Sequence, residues 1–259
     1  MKTTAKTTAR IRRSLLAGIA LFVTASGASC SCCGLGGTAE GNTPVGAGLS
    51  AWREMGEWSV VGAVKTHSDD EKRLSAEPGS GVLVNRLADG RDVDLITVAE
   101  YGDVDLHVEF LVPHGSNSGV YVMGRYEVQI LDSSGKDQVT FNDCGGIYQR
   151  YDPSRGKGKE GYEGYPPRLN ASLPAGEWQS FDIQFRAPRF DSSGKRITPA
   201  RFVKVVHNDV LVHEDVELSG PTRAALYEHE PEAAEGPLQL QGDHGPVGYR
   251  NIRIRSLGN

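Results

Sequence analysis

Cysteine is scarce and badly placed for cross-linking: of four, Cys30, Cys32 and Cys33 crowd into one stretch and only Cys144 lies in the body of the chain. No internal disulfide framework follows, and no His or Cys comes after the cluster at a zinc-ligand spacing, which leaves a tether or processing segment. Long apolar runs are missing too. The marked one, Ser14–Val23, is about one signal-peptide h-region long and too short to span a bilayer. No stretch has the 3.6-residue apolar period of a long amphipathic helix; only residues 222–229 (TRAALYEH) read as a short one. A basic excess is also lacking. The chain has 28 Lys+Arg against 33 Asp+Glu, a net −5, and its first 28 residues hold five basic residues and no acid, so the remainder carries −10. That balance excludes a nucleic-acid binder tracking phosphates. What is abundant is turn formers, with 32 Gly and 13 Pro in 259 residues, the profile of a globular chain of short strands.

Residues 1–28 read as a signal peptide: a basic stretch ending at Arg13, the apolar run, then small Ser26-Gly27-Ala28. Gly27-Ala28-Ser29-Cys30 is a degraded lipobox, so plain cleavage and lipid attachment at Cys30 stand as alternatives, both meaning export to the periplasm, outer membrane or medium. Gly-, Ser- and Thr-rich residues 29–50 read as a flexible spacer, and residues 51–259 as one domain. In that domain the apolar period is two. It runs through residues 107–112, 120–131, 181–186, 202–206 and 249–254, with turn clusters such as residues 113–119 and 242–246 between such segments. Two stacked antiparallel sheets, or a barrel, accommodate this pattern.

Within 120–131, Tyr126, Val128 and Ile130 share one face, so Glu127 and Gln129 share the other, with Asp132 just beyond. Such a polar row is either an ordinary solvated face or a carbohydrate cleft, in which carboxylates, amides and aromatics hold sugar hydroxyls and rings. Cys144 reads as a small packed side chain rather than a nucleophile, and His207 and His213 as structural.

The string Gly115-Ser-Asn-Ser-Gly-Val-Tyr-Val-Met-Gly-Arg-Tyr-Glu-Val-Gln-Ile-Leu-Asp-Ser133 resembles the signature of the bacterial 3-keto-disaccharide hydrolase family. Further likenesses follow in order: Cys144-Gly-Gly-Ile-Tyr148, Pro166-Pro167, Gly176-Glu-Trp-Gln179, residues 181–191 (FDIQFRAPRFD), His207-Asn208, Gly220-Pro221-Thr222 and residues 243–252 (DHGPVGYRNI). The likeness spans about residues 52–257. It implies a two-sheet antiparallel jelly-roll sandwich of the concanavalin A-like lectin and glucanase type, in an exported hydrolase or lyase of oxidised glycosides. The family's usual opening, Leu-Phe-Asn/Asp-Gly before the first Trp, is absent. Residues 149–165 (QRYDPSRGKGKEGYEGY) form an insertion that reads as solvated surface, with a lid as the alternative.

A ketone at C3 of a sugar acidifies the C2 hydrogen, so a base removes it while an acid helps expel the C1 substituent. On the matched motifs, the resemblance implies Glu127, His244 and Asp132 as catalytic residues. Arg125 and Arg250 would stabilise the oxyanion, and Gln129, Gln239, Gln241 and Asn251 would hold hydroxyls. Tyr148 would offer a sugar platform. No cofactor is certain; a divalent ion held by the carboxylates and His is the alternative enolate stabiliser. The expected partner is carbohydrate, not nucleic acid, and membrane attachment would come only through an N-terminal lipid. A non-catalytic binding module would use the same face, as would a conventional glucanase, although Gln129 stands where a two-carboxylate mechanism wants an acid.

Overall fold

A computed structural model describes residues 43–44, 49–85 and 92–258. The signal-peptide and lipidation readings fall outside the described residues, as does most of the spacer.

The strands that position the site are β1 (Ser59–His67), β2 (Asp70–Val84), β3 (Leu95–Tyr101), β4 (Val104–Leu111), β5 (Asn117–Val122), β6 (Tyr126–Leu131), β7 (Gln179–Arg186), β8 (Ala200–His207), β9 (Val210–Leu218), β10 (Gly236–Leu240) and β11 (Gly248–Ser256). They form two antiparallel sheets. The larger runs β9-β8-β7-β4-β11-β2-β1, with Thr43–Pro44 paired to β11 as its eighth strand. The smaller runs β3-β10-β5-β6. It is widened by single bridges, Trp52 to Thr97 at one edge and Val128 to Ile147 to Tyr165 at the other.

Period-two sequence becomes a sandwich in the expected way. In β7, Phe181, Ile183 and Phe185 are buried while Ser180, Asp182 and Gln184 are half-exposed, and β4 alternates in register with it. The apolar sides of both sheets meet in one core. Phe110 packs on Phe181 within the large sheet, centroids 4.7 Å apart, and Tyr126 of the small sheet meets Phe185 of the large one at 5.4 Å. Val108, Val120, Val128, Ile130 and Leu240 fill the space between. Each such side chain removed from water contributes about 1.5–3 kcal/mol.

Two details depart from expectation, and a third adds to it. The alternating stretch 120–131 is not one strand: Met123 and Gly124 both take positive φ, 59° and 61°, and Arg125 N–H donates to Val122 O at 3.1 Å. These left-handed residues reverse the chain, so β5 and β6 are a hairpin joined by Met123, Gly124 and Arg125, with Val122 opposite Tyr126. Residues 222–229 form turns instead of a helix, since Ala224 at φ 61° breaks the helical path. The 149–165 insertion carries its own small hairpin, Arg150–Tyr151 against Gly161–Tyr162, with Asp152 capping a turn at Pro153–Arg155.

The small sheet differs from the large one in its burial. From Ser118 to Val122 and from Tyr126 to Ile130 every residue is buried, so both faces are covered. One is covered by the core; the other lies under the loops. Leu226 N–H donates to the Gln239 side chain, Tyr227 N–H to Gly124 O, and Tyr148 N–H to Glu127 O.

Candidate active site

Strand parity and register assemble the covered polar face. Tyr121 stands opposite Glu127 on the hairpin, Gly119 opposite Gln129, and Gln239 of β10 pairs with Tyr121 on its other side. A row Gln239–Tyr121–Glu127–Tyr148 therefore crosses the sheet, the last step made by the Tyr148 N–H bond to Glu127 O at 3.2 Å.

Glu127 is 2% exposed. Its carboxyl occupies a niche that exists because residue 119 is glycine: a Cβ there would collide with Glu127 Oε1. Burial pushes its pKa up to about 8, assisted by the charges of Asp94 and Asp243 and opposed by a hydrogen bond from Tyr121. Near neutral pH the group is mostly protonated. It is then a hydrogen-bond and proton donor in a dry setting, the environment that suits a carboxylic acid to general acid work.

Asp94, just before β3, anchors the site from below. Its Oδ2 accepts Gln239 Nε2 at 2.7 Å, and its Oδ1 accepts Gly242 N–H at 2.8 Å. It thereby ties β10 to the loop that carries Asp243 and His244. Burial raises the Asp94 pKa, and these two hydrogen bonds pull it back. On the rim, His244 Nδ1 is hydrogen-bonded to Asp243, and both side chains are about half-exposed. That bond orients the ring and leaves Nε2 free to exchange a proton. Gln129 is buried with no hydrogen-bond partner for its Oε1. An orphan acceptor on this face calls for a ligand or water donor.

The residues singled out from sequence thus divide into two groups. Glu127, Gln129, Tyr148, Gln239 and Gln241 share the covered face, with Gln241 N–H bonded to Gly119 O. His244 stands at its rim. The remaining four are elsewhere. Asp132 accepts Gly115 N–H at 3.0 Å and pairs with His114 at 2.9 Å, holding the turn before β5. No hydrogen bond or ion pair links it to Glu127 or His244 among the described residues. Arg125 closes the β5–β6 turn: it donates to Met123 O and Pro231 O, and its guanidinium lies 4.6 Å over the Tyr227 ring. Arg250 and Asn251 lie on the large sheet, where both donate to Glu109 at 2.6 Å and Arg250 stacks on Trp178. Their neighbours Tyr249 and Ile252 are in the core, so the two point away from the Glu127 face.

Asp94, Tyr121 and Asp243 were not anticipated. Tyr121 had a signal: Gly124 marks a turn, and a turn there places Tyr121 opposite Glu127. Asp94 had none, because its partners are about 150 residues away in sequence. Among the described residues no three His, Cys, Asp or Glu side chains converge as a metal-ligand set. The divalent ion weighed from sequence therefore finds no fitting donors, and no step is assigned to one.

A sequence profile of the 3-keto-alpha-glucoside-1,2-lyase-like domain matches residues 44–255. A provisionally assigned glycosyl hydrolase of Parabacteroides distasonis ATCC 8503 superposes with a TM-score of 0.54 at 25% identity, over 83% of this chain and 84% of that one. A second such protein from that organism gives a TM-score of 0.45 at 18% identity, over 85% and 96%. No protein of curated function is significantly similar in sequence. With its profile match over most of its length, the chain belongs to the 3-keto-alpha-glucoside-1,2-lyase-like domain family of carbohydrate-active proteins, built as a sandwich of two antiparallel sheets.

Proposed function

We propose that the protein cleaves 3-keto glycosides or disaccharides at the face around Glu127, by base-assisted loss of the C1 substituent. The observation that carries this reading is the buried Glu127 carboxyl, held in a glycine-made niche with its pKa at about 8, beside an oriented Asp243–His244 pair. His244 Nε2 takes the C2 proton, and the electron pair left at C2 delocalises into the C3 carbonyl as an enolate. Tyr121 and the amides of the face donate to the developing oxyanion and hydroxyls. Expulsion of the C1 oxygen forms a C1–C2 double bond, and the departing oxygen takes the Glu127 proton. Addition of water would complete a net hydrolysis; its omission is a lyase outcome. Neither outcome requires an oxocarbenium ion.

Replacing Glu127 by Gln keeps size and burial while removing the transferable proton. Turnover of a 3-keto disaccharide should fall about 10²–10⁴-fold, with ligand affinity retained. Full activity in both Glu127→Gln and His244→Ala would reject the assignment, and absence of any turnover in the parent would favour a binding module. We also propose export, supported by the basic–apolar–small layout of residues 1–30. Intact-mass analysis of protein from its native host should find a chain beginning near Ser29 or at lipidated Cys30, and a chain retaining residues 1–28 would refute it.

A further inference from the structure

The outer face of the large sheet is polar and hollowed, and nothing in the chemistry above uses it. A depression of about 330 Å³ is lined by alternate residues of four adjacent strands: Asp105 and His107 of β4, Asp182 and Gln184 of β7, Lys204 of β8, and Arg253 and Arg255 of β11. Its volume is in the range of small-ligand pockets. Farther along β7 a second hollow of about 450 Å³ is lined by Arg186, Arg189 and Arg201 with Asp103. Together the two linings hold six Arg or Lys against three Asp, in a chain whose net charge is −5, with Arg201 paired besides to Asp215 and Glu217 beside the second hollow.

Charge pairing inside the first hollow leaves positive charge over. Arg255 is paired with Asp105, which also accepts Gln184 Nε2 at 3.0 Å, and His107 Nδ1 bonds Asp182 at 2.8 Å. Glu214, opposite Lys204 on the neighbouring strand, is paired with Arg168. Among the described residues, no hydrogen bond or ion pair joins the Lys204 or Arg253 side chain to a protein acceptor. They stand on opposite banks, three strand spacings across the sheet and two residues along it, or about 16 Å apart, with the polar floor between them. That floor includes His107 Nε2, buried without a hydrogen-bond partner and 3.7 Å from Glu109. In the second hollow, buried Asp103 accepts Arg186 and Arg189 at 2.7 Å each, aiming two planar guanidiniums from one side. Guanidinium forks match planar oxyanions.

We propose that this face is a second carbohydrate site, taking an oligosaccharide that bears carboxylate or sulfate groups. Two hollows in line along β7 suit a ligand of several sugar units better than a single ring. The site lies across the core from Glu127, so it stands or falls independently of the catalytic reading.

The test is calorimetric titration of the full chain with tetragalacturonate, a sulfated chondroitin tetrasaccharide and neutral cellotetraose. The parent and Glu127→Gln should bind at least one anionic probe equally, more weakly as salt is added, and cellotetraose poorly; which anionic probe binds tells carboxylate from sulfate. The double variant Lys204→Glu/Arg253→Glu should lose about tenfold or more in affinity. Both side chains are exposed and unpaired, so its melting temperature should match the parent's; Arg253→Gln alone gives a milder second variant should the double one fold poorly. Failure of both anionic probes to bind overturns the proposal, as does equal binding of cellotetraose. Anionic binding that survives the charge reversals but is lost in Glu127→Gln does so too.

Discussion

At the scale of single residues, the pKa of Glu127 is set by burial and by neighbours that can be removed one at a time. Tyr121 holds it down by a hydrogen bond, and Asp94 pushes it up by charge. Tyr121→Phe should therefore raise it further and Asp94→Asn should lower it. If Glu127 is the proton donor, kcat/KM falls as pH rises through about 8 in the parent. That alkaline limb should move up in Tyr121→Phe, down in Asp94→Asn, and vanish from the residual activity of Glu127→Gln. Shifts in the same direction for the two neighbours would contradict the assignment. Glu127 and Gln129 were legible from strand parity alone, since alternation dictates which side chains share a face. Asp132 misled for the same reason: it follows the strand, where parity ends and turn chemistry takes over, and its carboxyl caps Gly115 instead.

Among the elements, the β5–β6 hairpin carries most of the site, and its two faces should respond differently to substitution. Val128 is fully buried in the inter-sheet core. Val128→Asp should cost several kcal/mol through an unpaired buried charge. Gln129→Ala should be nearly neutral for stability, because its Oε1 has no partner to lose. Equal melting temperatures would refute this placement. Gly119→Ala introduces a Cβ against Glu127 Oε1. It should depress turnover more than it depresses stability, which parallel kinetics and thermal melts would show.

The strands were readable because inward and outward residues alternate even where both faces are covered. The turn between β5 and β6 is marked in sequence by Gly124 alone, because Met123 is buried and apolar and alternation runs on through the residues that reverse the chain. Arg250 and Asn251 went astray at the bulge between Arg250 and Arg253 of β11 and through the assignment of that strand to the other sheet, neither of which local sequence records.

For the whole molecule, buried titratable groups set a pH window of stability. Glu127 has a folded pKa of about 8, above its ordinary 4.5, so the native state holds the extra proton and loses stability as pH rises from about 4.5 to 8. His207 and His213 are buried neutral, their pKa values lowered to about 4 by desolvation. The unfolded chain protonates them near 6.5, so their contribution is complete above that pH and is lost as pH falls toward 4. Two histidines outweigh one carboxyl between about 4.5 and 6.5, and above that the carboxyl acts unopposed. Melting temperature should peak close to pH 6.5 and decline on both sides. The alkaline decline should be shallower in Glu127→Gln, because ionising the buried carboxyl costs the parent about 1.4 kcal/mol for each pH unit climbed between the unfolded and folded pKa values. An alkaline limb identical in parent and variant would show that Glu127 titrates normally.

The most direct test of the proposed chemistry is product analysis by mass spectrometry on a matched pair of substrates, an ordinary disaccharide and its 3-keto counterpart, each given to the parent and to Glu127→Gln. C2 deprotonation needs the ketone, so the parent should cleave the 3-keto compound and leave the ordinary one essentially intact. Glu127→Gln should be slower on the 3-keto compound by about 10²–10⁴-fold. Cleavage of both compounds by the parent at similar rates would contradict elimination and point to direct glycosidic hydrolysis.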